Sequence, residues 1–324
     1  MRELVLGIDF GGTKVAIGVA DRSGTVLRQR RLDTEPESGA EQVVSRALAA
    51  ARDLLDGDEP AAVGVASPGI TLPEKILLAP NVPGWEHLRL RDLVAAEFGP
   101  AVAVGNDVKA AGLAELRWGA LVGADPAVFL SLGTGIAAAI AVGGQVLAGA
   151  NGAAGEIGYN LRGAGDTASF ASGSAPLEEA VGGRGLGTRA SERLGRPVTA
   201  AALFALSRED AVAASLVAEA LDELSVHVAN LAITLDPQRI AVGGGLVRSA
   251  DVVLPALRER LSHAVPFPPE LVAAHFGQDA ALRGAIALAP FLQGEAPAAE
   301  SGSRGSNRST HRARQSGGSQ ESPK

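Results

Sequence analysis

The chain has no cysteine among its 324 residues, one tyrosine, two tryptophans and an aromatic share of only 3%. Missing thiols exclude a disulfide framework, a cysteine nucleophile and any cysteine-ligated metal. With few aromatics, the core has to be filled by Ala, Val, Leu and Ile. No uninterrupted apolar run reaches membrane-spanning length. Met1-Arg2-Glu3 leads straight into the first apolar segment without a secretory leader, so the sequence predicts a cytoplasmic protein. A basic excess is lacking too: 36 acidic against 29 basic residues leave a net charge of −7. That balance argues against a nucleic-acid surface in the folded part. What is present, 46% hydrophobic and 20% charged residues, is an ordinary globular composition over a length that suits two domains.

The stretch Leu4 to Ile17 organises the rest. An apolar run breaks at Asp9-Phe10-Gly11-Gly12-Thr13-Lys14 and resumes as a second apolar run. This reads as a hairpin with a bare, polar tip. Adjacent glycines let backbone N–H groups approach a phosphate. Thr13 adds a hydroxyl, Lys14 a cation, and Asp9 a carboxylate suited to water around Mg²⁺. By itself the same stretch also reads as a plain Gly-Gly hairpin turn. Strand, glycine turn and strand recur further on, where Ala127 to Leu132 runs into Gly133-Thr134-Gly135 and Ile136 to Val142 follows. The echo predicts two related halves, each with a phosphate loop and the ligand between them.

Between these hairpins, helical spacing covers Glu41 to Leu55, Leu90 to Phe98 and Val108 to Trp118. Strands at Ala61 to Ala66 and Ala101 to Val104 stop at Ser67-Pro68-Gly69 and at Gly105-Asn106-Asp107. Strands alternating with helices, and polar residues gathered at strand ends, predict an α/β fold. Pro176 to Arg193 and Ala200 to Leu206 read as helices. Val217, Leu221, Leu224, Val228, Leu231 and Leu235 line one face of a long one. A strand at Arg239 to Val242 runs into Gly243-Gly244-Gly245; a helix at Leu254 to Leu261, a strand at Leu271 to Ala274 and a helix at Asp279 to Phe291 close the pattern. From Glu295 the chain turns to Ser, Gly, Arg and Gln, which predicts a disordered tail over 295–324. Its Arg304, Arg308, Arg312 and Arg314 suit an anionic partner; a merely solubilising appendage is the simpler reading.

Taken together, Asp9-Phe10-Gly11-Gly12-Thr13-Lys14, Ser67-Pro68-Gly69, Asn81-Val82-Pro83-Gly84-Trp85, Asn106-Asp107, Leu132-Gly133-Thr134-Gly135-Ile136, Gly155-Glu156-Ile157-Gly158, Leu235-Asp236-Pro237 with Gly243-Gly244-Gly245, and His275 to Ala280 with Gly284-Ala285 resemble the ROK family of bacterial glucokinase-like sugar kinases. The motifs follow the family's order from Leu4 to Leu292. The resemblance implies the two-domain actin/hexokinase-like (ribonuclease H-like) fold with an interdomain cleft. A small domain would take 1–106 plus 281–294 and a large domain 107–280. It implies ATP- and Mg²⁺-dependent phosphorylation of a hexose, usually at its 6-hydroxyl, and a homo-oligomer, dimer or tetramer. Asp107 matches the catalytic base, and Asn106, Asp107, Glu156 and Glu178 match sugar ligands, with Gly69 and Tyr159 beside them. Glu179 rivals Glu178. Gly11, Gly12, Thr13 and Lys14 would hold the outer phosphates from one side and Gly133, Thr134 and Gly135 from the other. Gly244 and Gly245 would admit the adenosine, and Asp9 would orient Mg²⁺ through water.

The chain departs from the family at instructive places. The family's structural zinc uses a histidine where Tyr159 stands and three cysteines that are absent here, so no zinc is expected. Lys109 replaces a polar, uncharged residue, and Ala137 and Ala138 replace glycines. Tyr159 predicts a rebuilt pocket opposite the reacting hydroxyl. A kinase of an unusual sugar or cyclitol is therefore an alternative to a hexose kinase. A non-catalytic sugar-sensing protein is another, although a family repressor would place a helix-turn-helix module before the first hairpin, which here starts at residue four.

Overall fold

A computed structural model describes residues 3–79 and 81–290; the tail expected over 295–324, and 291–294 of the expected small domain, lie outside the described residues. Twelve strands are present among them: β1 (Leu4–Phe10), β2 (Lys14–Ala20), β3 (Val26–Asp33), β4 (Pro60–Ser67), β5 (Ile70–Thr71), β6 (Ile76–Leu77), β7 (Val102–Asn106), β8 (Ala127–Leu132), β9 (Ile136–Val142), β10 (Gln145–Val146), β11 (Arg239–Gly243) and β12 (Glu270–Ala273). They build two five-stranded sheets ordered β3-β2-β1-β4-β7 and β10-β9-β8-β11-β12, plus a small β5-β6 ladder. In each large sheet an antiparallel hairpin feeds two strands that run parallel to its first strand. The echo read from the glycine turns is thus an echo of whole sheets.

Each sheet is a central layer with apolar residues on both faces, as parallel strands require. Leu6, Ile8 and Phe10 of β1 join Val43, Val44, Ala47 and Ala51 of α1 (Ala40–Leu55) in one core. This core also takes Val94 of α2 (Leu90–Phe98). On the opposite face, Val5 meets Ile286 and Ala289. In the second sheet, Val128, Leu130 and Leu132 pack on Leu216, Leu224 and Val228, while Phe129 turns toward Ala111.

The helices are α3 (Asp107–Trp118), α4 (Pro176–Val181), α5 (Gly183–Leu194), α6 (Ala200–Leu206), α7 (Ala211–Leu235), α8 (Ala250–Ala264) and α9 (Ala280–Leu288). Helix α9 lies on the first sheet so closely that a side-chain carbon on Gly64 would fall 1.7 Å from the Ala285 carbonyl oxygen. Helix α3 lies on the second sheet, and the two helices touch backbone to backbone, where a carbon on Gly284 would fall 2.1 Å from the Ala110 carbonyl. This helix pair joins the two sheets.

The single helix expected over 176–193 is two. Gly182 is extended (φ −63°, ψ 150°). Gly183 N–H then donates to the Gly133 carbonyl at 2.9 Å instead of continuing α4. Two glycines with poor helix propensity make the break inexpensive. Trp85, in the proline-rich loop, is buried against Phe10 and donates its indole N–H to Ser67 Oγ at 3.0 Å. Among the described residues no helix is long and apolar enough to cross a membrane.

Candidate active site

Parallel β1, β4 and β7 deliver Asp9, Ser67 and Asn106 to one end of the first sheet, where these strands finish. There α3 begins. Asn106 caps it, accepting from the Lys109 backbone N–H at 3.0 Å, and its amide donates to the Gly69 carbonyl at 2.9 Å. Asp107, half-buried, accepts from Val108 N–H at 2.8 Å. Burial pushes its carboxyl up to about 6 from an ordinary 3.8; the Val108 N–H opposes the rise, nearby Glu156 adds to it and Lys109 opposes it. Asp9 is pushed further, to about 8, first by burial and then by the Asp107 charge, with Arg31 pulling the other way.

The facing wall comes from the second half. The Lys109 ammonium stands 3.5 Å from Glu156 Oε1 with both side chains largely shielded. Burial raises the Glu156 carboxyl; Lys109 offsets this and Glu178 adds to it. Glu178 lies on α4 and accepts from Ile136 N–H at 3.1 Å, packed under Gly135. Glu179 turns back onto the start of its own helix, accepting from Ala175 N–H at 3.1 Å. Glu178, and not its neighbour, therefore joins the cluster. The Tyr159 phenol is raised by burial and by Glu178 and Glu156, and its ring meets Phe170 edge-on at 5.7 Å. Electrostatic influence thus runs from Asp9 through Asp107 to Glu156 and on to Glu178 and Tyr159, with Asn106 and Gly69 at the strand ends beside Asp107.

Both glycine turns are closed by their own backbone. Gly11 N–H donates to Lys14 O and Gly133 N–H to Gly135 O, each at 2.9 Å. Thr13 is exposed at the first tip. Lys14 does not fold over that turn: its ammonium sits 2.6 Å from Asp33 in the register-paired position of β3, and its side chain is 63% exposed. At the end of β11, Gly244 has φ +88° and a side-chain carbon there would lie 2.4 Å from Leu132 O, while Gly245 faces open space. A pocket of about 490 Å³ opens here, lined by Gly133, Thr134, Gly183, Arg184, Thr199, Ala200, Ala201, Gly245, Leu246 and Gln278. Arg184, Thr199 and Gln278 received no role from sequence; the glycine pair before Arg184 was the available signal.

The chain belongs to the ROK family, which matches residues 5–291. It has the two-domain, actin-like α/β fold of the family's sugar kinases. It is 30% identical to the glucokinase of Thermotoga maritima over 88% of this chain and 96% of that protein. The structure of a ROK hexokinase from Thermus thermophilus superposes with a TM-score of 0.76 at 32% identity, over 88% of this chain and 97% of that one. A ROK family glucokinase from Streptomyces griseus, solved with glucose and AMPPNP, superposes with a TM-score of 0.75 at 30% identity, over 88% and 99%.

Proposed function

We propose that the protein is a kinase that moves the γ-phosphoryl group of ATP to the primary hydroxyl of glucose or a similar hexose, with Asp107 as general base. The observation that carries this is the position of Asp107: a carboxylate made more basic by burial, set at a strand–helix junction and within electrostatic reach of Asp9 and Glu156. An attacking hydroxyl must shed a proton, and an acceptor ionised at neutral pH yet more basic than an ordinary carboxylate suits that task. Asn106, Glu156, Glu178, Tyr159 and Gly69 would orient the acceptor through its ring hydroxyls. Gly11, Gly12, Thr13, Gly133, Thr134 and Gly135 would hold the phosphates, and Gly244 and Gly245 would admit the adenosine. Phosphoryl transfer depends mainly on such positioning and on charge neutralisation.

The carboxyl pair also fits Mg²⁺: burial and Asp107 outweigh Arg31 at Asp9, so added positive charge is what the pair lacks. Asp9 would hold the ion through water, and the ion when bound offsets phosphate charge. Structural zinc has no part in this reading, since cysteine is absent and Tyr159 occupies the histidine position. A second reading, a kinase of an unusual sugar or cyclitol, is favoured by the Lys109–Glu156 pair and the Tyr159–Phe170 contact, which reshape the wall that meets the acceptor. We also propose a cytoplasmic homo-oligomer in which 1–106 with 281–294 and 107–280 are the two domains.

An ATP-consumption screen over hexoses, acylated amino sugars and cyclitols tests both readings; sugar binding without turnover would leave a sensor. Asp107→Ala should lower turnover by roughly 10²–10⁴-fold with an unchanged circular dichroism spectrum. Near-normal turnover would remove Asp107 as the base.

A further inference from the structure

The cation assigned to the phosphates from sequence, Lys14, is engaged by Asp33, and Arg31 is engaged by Asp279. Arg184 is placed differently. It is the second residue of α5, and its backbone N–H donates to Thr134 O at 3.0 Å while Gly183 N–H donates to Gly133 O at 2.9 Å. The start of α5 is thereby tied to the glycine turn of the second sheet. Its side chain reaches the other half: a guanidinium N–H donates to Asn81 Oδ1 at 3.3 Å. Asn81 is also what a side chain on Gly12 would meet, at 3.7 Å, in the glycine turn of the first sheet. Arg184 is thus tied by its backbone to one turn and, through Asn81, stands near the other. It is exposed, lines the pocket beside Gly245, and faces no carboxylate among the described residues. A neutral amide takes one of its five donors, and the planar fork matches phosphate oxygens.

We propose that Arg184 binds the outer phosphates of the nucleotide across the cleft, exchanging the Asn81 amide for phosphate oxygen and adding its charge to that of Lys14, which pairs with Asp33 at the surface. The proposal rests on the nucleotide reading of the two glycine turns. Calorimetric titration of the full chain with AMPPNP and with AMP, both with Mg²⁺, tests it. Arg184→Ala should weaken AMPPNP binding roughly 10- to 100-fold and leave AMP unchanged. Arg184→Gln, polar but uncharged, should lose as much, and Arg184→Lys should recover part. In turnover, KM for ATP should rise while KM for the acceptor stays. Unchanged AMPPNP affinity in the Ala or Gln variant overturns the proposal alone, as does an equal loss toward AMP. Wild-type protein that binds neither nucleotide overturns the nucleotide reading and this proposal with it.

Discussion

Asp107 and Asp9 are held in a shielded site where burial makes ionisation of both harder and the Asp107 charge adds to this at Asp9, and the folded chain carries the cost. The sign follows from the raised carboxyl of Asp107. Below the ordinary 3.8 both folded and unfolded chains keep the proton and no cost arises. Between 3.8 and about 6 the unfolded chain ionises first, so stability falls as pH rises, and above 6 the cost is complete. Asp107→Asn should therefore stabilise the nucleotide-free protein at pH 8, by up to about 3 kcal/mol, with the gain vanishing toward pH 4. Thermal melts across that range measure it, and a gain that grows toward acid would contradict the assignment. Activity should move oppositely, falling below about pH 6 as the base takes up a proton. The Asn-Asp pair at a strand end was legible in sequence because strand, turn and helix are local. That Lys14 pairs with Asp33 was not, because it depends on the register of β2 against β3. The choice between Glu178 and Glu179 likewise needed the packing of α4 under Gly135.

Glu115 shows what an element can hide. Nothing in the sequence sets it apart from a solvated helix residue, yet it is fully buried near the end of α3. Its carboxylate accepts from the N–H groups of Ala120 at 2.7 Å, His275 at 3.1 Å and Phe276 at 2.9 Å. It locks the turn after α3 to the loop that precedes α9, which are remote in sequence. Glu115→Ala would leave three part-buried N–H donors without their acceptor and should cost roughly 1–3 kcal/mol. Glu115→Gln, which keeps one carbonyl acceptor, should cost less. Urea unfolding midpoints of the two variants check the order, and equal midpoints would show that the three donors find other partners. The helices and strands themselves were largely legible, since most carry a clean apolar period. The break at Gly182 escaped because it is made by the Gly133 carbonyl, a partner in another element.

Two sheets of the same strand order meet through α3 and α9, and Asp107 opens α3 while Asp9 ends near the sheet under α9. The geometry of that helix contact thus sets how the second sheet stands against the end of the first, where Asp107 lies. Gly284→Ala would drive a carbon into the Ala110 carbonyl, forcing α3 and α9 apart. It should cost about 1–3 kcal/mol and lower kcat together with stability. A variant with wild-type melting temperature and turnover would show that the helices separate freely. The strand pattern has another consequence, for how copies of the chain meet. The outer strand of the first sheet, β3, carries Arg28, Gln29, Arg30 and Arg31, with Arg28 paired to Asp58 at 2.7 Å and Arg30 to Asp53 at 3.3 Å. The outer strands of the second sheet are two and four residues long. Charge guards β3 and brevity guards β10 and β12, so edge-to-edge stacking of copies at these three borders is disfavoured.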